Sequence, residues 1–463
     1  MELSQELRSG RDSGALRPIG IKAIALGRNA LDDLPGMALS LMPKNPHGSI
    51  AMLMDPIPKR RAGIDLVSLI ERNLAAVGEP RRVVLEGERG RVHADETTLA
   101  NATKAVAGSA CLVTVGSGTL ADIGKAVSAR LEGLPHIVVQ TATSVNGFAD
   151  DQSVLLTKGV KRTTPTRWPD ALVADADVLV GAPVALNLAG VGDLLAMFTA
   201  PADWRLAQLL GMADSYSQTV VRIVRSHGDE VLSAAPRLAD GNADAATAIA
   251  HVLTLSGISM GVAGTTAPAS GMEHTVSHLI EMAMNRRGED AAYHGAQVGV
   301  SSVVAAVLWS RVRSHLRTEG RSRLGFPSME EMDSRVRSAF SSIDPSGEMG
   351  DECWRLYSRK LKRWIENRTS LQAMSWQIVD SATTDLLADP KDLTDSLDAA
   401  GAPTRFSQLD PPVAGDLARW AIANCHLMRD RFTVADLAFF LGIWDAEMVE
   451  SVLEEAASMG GGL

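Results

Sequence analysis

At Pro183 the rhythm of this 463-residue sequence changes. Upstream, from about Ile21 to Ala182, short β-branched runs alternate with amphipathic stretches, which is how βαβ units read. The runs are SIAMLMD (49–55), RVVLE (82–86), CLVTV (111–115), HIVVQ (136–140) and ALVAD (171–175). Between the first two, Leu66, Leu69, Ile70, Leu74 and Val77 form one helical stripe that stops at Gly78, a residue suited to the left-handed position after a helix. Downstream of Pro183 the strand signals vanish and long helical patterns follow, among them AATAIAHVLTLSG, SHLIEMAMNRRG and GVSSVVAAVLWSRVRSHL. Single cores stop growing at roughly 250–300 residues. The chain is therefore predicted to form two domains, an α/β domain with a parallel sheet over 1–182 and an all-helical domain over 183–463. The terminal GGGL reads as a frayed tail.

Acidic residues outnumber basic ones 55 to 45, a net charge of −10. That is the wrong sign for a nucleic-acid or anionic-lipid partner, so any phosphate site must be local. Cys111, Cys353 and Cys425 lie far apart, outside zinc or redox spacing, and suit a reducing compartment. The N-terminal MELSQELRSGRDSG lacks the apolar core of a secretion signal. The longest apolar stretches, such as Val298 to Trp309, fall short of the ~18 residues a membrane span needs. A soluble, cytoplasmic protein with no membrane partner is expected.

Residues 112–125, LVTVGSGTLADIGK, are an apolar strand, then Gly116, Ser117 and Gly118, then a helix from about Thr119. Glycines there let a ligand approach the backbone, and the free N–H groups of a helix start attract a pyrophosphate. The same residues suit a plain tight turn that uses glycine for positive φ. In EHTVSH, His274 and His278 stand four apart, so both imidazoles share a helical face, and His294 opens the next helical segment. Asp193, in AGVGDLLAMFTAPADW, is the carboxylate best placed to complete a three-ligand metal site, because glycines before it free the backbone at a helix entrance. One core histidine and one surface histidine is the plainer reading of the pair.

GSGTLADIGKAVS, TATSVNGFAD, ALVADADVL, AGVGDLLAMFTAPADWRLA, SGMEHTVSHLIEM, YHGAQVGV and AGAPT followed by LMRDRFTVADLAFFLG run from about Gly20 to Gly442. In order and spacing they closely resemble the glycerol-1-phosphate dehydrogenases of the iron-containing alcohol dehydrogenase and dehydroquinate synthase-like superfamily. The resemblance implies a Rossmann-like N-terminal domain binding NAD(P)(H), a helical-bundle C-terminal domain binding metal, and an active site in the cleft between them. It implies Asp193, His274 and His294 as ligands of one divalent metal, usually zinc, with nickel or iron in some relatives, and His278 near the nicotinamide. Gly116, Ser117, Gly118 and Asp122 match the pyrophosphate loop. Thr141 and Ser144 match residues beside the cofactor phosphates and nicotinamide ribose, and Asp55 the position that reads the adenosine ribose.

One departure bears on the substrate. Where the family usually has TAPS, any residue, then Asp-Gly, this chain has TATSVNG, with Thr143 in place of the proline and Asn146 in place of the aspartate that lies against the substrate. An amide hydrogen-bonds a hydroxyl but cannot act as a base. Asp150 and Asp151 follow where a small hydroxyl is often found, and pointing inward they would repel a phosphorylated substrate. The reading is a metal-dependent, NAD(P)-dependent dehydrogenase that interconverts a small phosphorylated polyol and its ketone or aldehyde, with sn-glycerol 1-phosphate and dihydroxyacetone phosphate as the first pair. The metal acts as Lewis acid and His278 carries the proton out. The alternatives are a dehydrogenase of another alcohol, such as a phosphonate or sugar alcohol, a sugar-phosphate cyclase of the dehydroquinate synthase kind, and a non-catalytic binding protein. A homo-oligomer, dimer or larger, is expected.

Two basic segments complete the reading. Behind Asp55, Lys59, Arg60 and Arg61 are able to pair with a ribose 2′-phosphate, so use of both cofactors is expected. In KGVKRTTPTRWPD, Lys158, Lys161, Arg162 and Arg167 sit in a loop before ALVAD. Lys161 and Arg162 are the candidates for the substrate phosphate; a solvated surface hairpin is the alternative.

Overall fold

Strands that are apolar along their whole length must be covered on both faces, as in parallel sheets flanked by helices. The computed structural model describes residues 16–42, 49–87, 92–157, 160–318 and 324–463. Its six-stranded sheet is built from β1 (Ala23–Gly27), β2 (Ser49–Met54), β5 (Glu79–Val84), β6 (Cys111–Gly116), β7 (His136–Gln140) and β10 (Ala171–Asp175). All neighbours are parallel, in the order β1-β10-β7-β6-β2-β5. Two antiparallel pairs stand apart, β3 (Arg60–Arg61) with β4 (Ile64–Asp65) and β8 (Gln152–Thr157) with β9 (Val160–Pro165).

The helices that carry the argument are α1 (Leu66–Leu74), α2 (Gly118–Arg130), α3 (Val184–Leu195), α4 (Ala200–Leu209), α5 (Ala243–Ala263), α6 (Met272–Arg286), α7 (His294–Thr318) and α8 (Glu348–Glu366). On one face of the sheet Leu66, Ile70 and Leu74 of α1 pack on Met52, Val113 and Val115. On the other, Ile123 and Val127 of α2 pack on Leu53 and Leu112. Beyond Asp175 the described residues of the chain are helices and turns, apart from an isolated bridge between Arg405 and Gly462.

All five expected runs are strands, and β1, AIALG, adds one more that pairs with β10. Four details differ from expectation. Helix α1 ends at Leu74, and Gly78 does not take the left-handed conformation; a Cβ there would lie 2.7 Å from Ile50 Cδ1, so the glycine sits in close packing against that side chain. The basic segment is half of a hairpin rather than a loop, with Val160 buried in the helical core, while Lys158 lies outside the described residues. The glycine tail is docked: Gly462 donates to the Thr404 carbonyl at 3.0 Å and accepts from Phe406 N–H at 2.8 Å. Finally, Val184–Leu209, Ala243–Ala263 and His294–Thr318 are long and apolar enough to cross a membrane by length and composition, contrary to expectation. Between 78% and 83% of their apolar windows are buried inside the protein, so that apolarity serves the core.

The hairpin is tied down by a shared carboxylate. Glu352 of α8 accepts from Arg162 Nε at 2.8 Å and from Arg355 Nε at 2.8 Å, and these two guanidiniums, Arg355 foremost, hold its pKa at about 2. A depressed carboxylate contributes stability above its unfolded value, near 4.5, and loses it as pH falls toward 2. Glu352→Gln is therefore expected to lower stability by about 1 kcal/mol at pH 7, a deficit that shrinks below pH 4. Thermal melts of both proteins across that range check it.

Candidate active site

Three helices bring the metal-ligating groups together. Helix α3 carries Asp193, α6 carries His274 and His278, and α7 begins at His294. The glycines around Asp193 work differently from expectation. Gly190 and Gly192 lie inside α3 rather than at its entrance, and a Cβ on Gly192 would sit 2.2 Å from the Gly295 carbonyl oxygen. A Cβ on Gly295 would in turn sit 2.0 Å from the Ala189 carbonyl oxygen. The backbones of α3 and α7 thus touch, which places Asp193 beside His294.

Ligand atoms of Asp193, His274 and His294 all lie within 4.8 Å of one another. His274 Nδ1 is 3.1 Å from Glu273 Oε1, which puts its proton on Nδ1 and leaves the Nε2 lone pair 3.4 Å from Asp193 Oδ1. That carboxylate oxygen is buried with no hydrogen-bond partner. Two acceptors facing each other call for a cation between them. Accordingly, although burial opposes it, the Asp193 and Glu273 carboxylates raise the His274 pKa. His294 Nδ1 is likewise engaged, 3.0 Å from Ser277 Oγ and 3.4 Å from Glu281, leaving Nε2 free. Outer hydrogen bonds that fix ring and tautomer are what a histidine metal ligand needs. The donor set fits a divalent ion.

His278 lies on the same face, its ring 5.1 Å from that of His294. Arg429 donates to His278 Nδ1 at 3.1 Å, which keeps the ring proton on Nε2. Burial, then Arg429, His294 and Lys161, push its pKa far down. The expected outward proton carrier is thus a neutral ring that donates from Nε2 and cannot accept at Nδ1 while Arg429 is in place. Asn146 donates from Nδ2 to Ser256 Oγ at 3.1 Å, and its backbone N–H holds Asp193 Oδ2 at 2.9 Å, so it braces Asp193 as well as lining the cavity.

The cavity holding these groups has a volume of about 440 Å³ and runs from the imidazoles to Gly118, Thr119 and Asp122 at the start of α2. Neither Gly116 nor Gly118 has positive φ; a Cβ on Gly118 would meet Val145 Cγ2 at 2.6 Å, so neither the tight-turn reading nor ligand approach alone explains the glycine. Ser117, the residue capping α2, makes no capping bond with its side chain. The helix N–H groups there stay available for an anion. Asp122 is turned to the protein: it accepts from Val154 N–H at 3.1 Å and pairs with Lys125 at 3.1 Å.

Other residues from the sequence reading lie elsewhere. Thr141 and Ser144 are buried where the chain leaves β7 and do not line the cavity, although Ser144 Oγ has no partner. Asp55 directly follows β2, with Lys59 on its carboxylate at 2.5 Å. Arg61 does not reach that position; it is bound to Asp175 of β10 at 3.1 Å, while Arg60 caps the Gly63 carbonyl. Lys161 lines the cavity and pairs with Glu281 at 2.7 Å, whereas Arg162 is turned to Glu352 and Arg167 to Asp170. Asp150 does not face a substrate as a free acid. It is held by the buried Lys125, which also donates to the Gly147 carbonyl at 2.6 Å, and Asp151 pairs with Arg17 at 3.4 Å.

Sequence reasoning missed Glu273, Glu281, Lys125 and Arg429. Glu281 follows His274 by seven positions and His278 by three, so helical spacing carried that signal. Arg429 approaches from 151 positions away, and no local pattern announces it.

A parallel sheet with a glycine-bearing strand-to-helix turn, followed by a helical region that holds an Asp-His-His cluster, is the architecture of the metal-dependent nicotinamide dehydrogenases. Residues 26–183 match the family described as iron-containing alcohol dehydrogenase. The structure is similar to that of a probable glycerol dehydrogenase from Sinorhizobium meliloti, with a TM-score of 0.60 and 15% identity over 96% of this chain and 99% of that one. It is also similar to maleylacetate reductase from Agrobacterium tumefaciens, with a TM-score of 0.57 and 14% identity over 95% and 97%. In sequence the chain is 30% identical to the glycerol-1-phosphate dehydrogenase [NAD(P)+] of Bacillus licheniformis, over 90% of this chain and 88% of that protein. It is 29% identical to the Bacillus subtilis protein of the same name, over 90% of each. The chain belongs to the glycerol-1-phosphate dehydrogenase family.

Proposed function

We propose that the chain interconverts a short phosphorylated polyol and its ketone with NAD(P)(H) and one divalent metal, and that sn-glycerol 1-phosphate and dihydroxyacetone phosphate are the pair to test first. The observation that carries this is the Asp193–His274–His294 cluster in the same cavity as the start of α2. Bound there, the metal supplies Lewis acidity to a substrate oxygen and the nicotinamide supplies or takes the hydride. Asp193, His274 and His294 hold the ion, for which zinc suits the mixed nitrogen and oxygen donors. His278 donates from Nε2 to the substrate oxygen, and Asn146 keeps Asp193 in register. In this division of labour residues 1–182 bind the cofactor and 183–463 the metal. The enzyme works in the cytoplasm as a homo-oligomer, for which the outer edge of β5, with Val84 exposed, offers a surface.

The test is a panel of polyols, polyol phosphates and phosphonate alcohols with both cofactors, followed by absorbance of the reduced nicotinamide. A phosphorylated polyol should give the highest kcat/KM. Turnover confined to unphosphorylated alcohols overturns the substrate assignment, and no turnover by metal-loaded protein overturns the reaction.

Cofactor choice follows from Asp55. With Lys59 on its carboxylate, the position neither repels a 2′-phosphate strongly nor reserves the residue for a ribose hydroxyl. Both cofactors are expected to work within roughly tenfold in kcat/KM, a difference of ~1.4 kcal/mol. Preference for one by several orders of magnitude would refute this.

A further inference from the structure

Beside the metal cavity lies a second one of about 690 Å³, and its charge runs against that of the chain. Lys161, Arg359, Lys360, Arg363, Arg429 and Arg431 line it, with Arg162 and Arg355, against three acids, Asp203, Asp214 and Asp430, in a protein of net charge −10. Several of its cations have carboxylate partners: Lys161 has Glu281, Lys360 has Asp436 and Arg363 has Asp214. Three do not. Among the described residues, Arg359, Arg429 and Arg431 have no carboxylate oxygen within 4.0 Å, and Arg431 is held only by the Ser270 carbonyl and the Thr266 hydroxyl. Arg429 Nε is buried with no hydrogen-bond partner at all. Asp430 and Glu273 act on Arg429 and Arg431 only from beyond contact distance, and a partly buried guanidinium with no acceptor on its free N–H groups is costly, which leaves these groups able to take an added anion.

The two cavities adjoin. Gln152, Lys161, Thr163, Thr266 and Ser270 line both, and Arg429 touches His278 across the divide. A short substrate whose oxygen is held at the metal cluster would thus extend past the His278 ring into the basic cavity. We infer that this cavity is the substrate's anion subsite, in which Arg429, with Arg431 behind it and Arg359 at the rim, binds the phosphate or phosphonate group.

The inference rests on the proposed reaction and moves the charged end of the substrate away from Arg162, which Glu352 already neutralises. Guanidinium is suited to the task because it meets two phosphate oxygens at once.

The experiment compares wild type, Arg429→Met and Arg359→Ala on a phosphorylated polyol and on its unphosphorylated parent, and titrates inorganic phosphate onto each metal-loaded protein by calorimetry. Arg429→Met also frees His278, so turnover of both substrates falls; the subsite is read from the ratio of the two kcat/KM values. That ratio should drop by roughly 10- to 100-fold, mostly through KM, with a smaller drop for Arg359→Ala and weaker phosphate binding in both. Equal losses on both substrates with unchanged phosphate binding overturn the inference. If the wild type does not favour a phosphorylated polyol, the reaction reading fails, yet the phosphate titration still decides the subsite. Arg359 is exposed, so its variant keeps the test valid should Arg429→Met not fold.

Discussion

His274→Ala should lose bound metal and turnover together while the helical region keeps its fold. The Nε2 atom of His274 faces the buried Asp193 Oδ1 at 3.4 Å, and a metal ion between them satisfies both. Removing the ring leaves two ligands, Asp193 and His294, which is too few to hold a catalytic ion tightly. Loss of that Lewis acid is expected to lower kcat/KM by roughly a thousandfold or more. Glu273→Gln grades the argument, because it keeps the ligand and removes only the carboxylate that orients it at 3.1 Å. Outer-ligand changes typically cost 10- to 100-fold in metal affinity. Elemental analysis after dialysis against a weak chelator measures both. Full metal content in His274→Ala would sink the assignment, and so would a Glu273→Gln loss as large as that of His274→Ala, since the carboxylate would then be a ligand in its own right.

Much of this was readable in the sequence where chemistry and periodicity coincide. The inner strands β2, β6, β7 and β10 are nearly unbroken apolar runs because both faces are covered, whereas the edge strand β5, EPRRVV, is largely exposed; HIVVQ and ALVAD match β7 and β10 to the residue. The i,i+4 spacing of His274 and His278 puts both rings on one face of α6 whatever lies opposite. What lies opposite was not readable. Arg429 and Glu352 act on partners far away in the chain, and their effect depends on helix packing that no local window contains. The glycines were misread in a consistent way. Gly78, Gly118 and Gly192 each suggested a turn, a ligand approach or a freed helix entrance, while each has a neighbour's atoms near the place of its Cβ, side-chain ends for the first two and backbone for Gly192. A missing side chain signals proximity as readily as it signals unusual φ, and sequence alone does not distinguish them.

The contact between α3 and α7 carries that point into function. Gly192→Ala would place a Cβ 2.2 Å from the Gly295 carbonyl oxygen and 3.2 Å from Gly299 Cα, backbone atoms of a buried helix that no rotamer change can move aside. The helices must separate, at an overpacking cost of roughly 1–3 kcal/mol. Asp193 adjoins Gly192 on α3 and His294 adjoins Gly295 on α7, so the separation acts directly on two of the three proposed metal ligands. Misplacement by about 1 Å is enough to cost a hundredfold in rate. Gly192→Ala is therefore expected to fold with a lowered Tm and to lose metal affinity and kcat/KM by roughly two orders of magnitude. Gly78→Ala is the matched control. Its Cβ would meet only the Ile50 side-chain end at 2.7 Å, in the sheet core away from the cluster, so it should lower Tm without changing metal content. Equal metal binding by the two variants at equal loss of stability would mean that the α3–α7 contact supports the fold and does not set the geometry of the site.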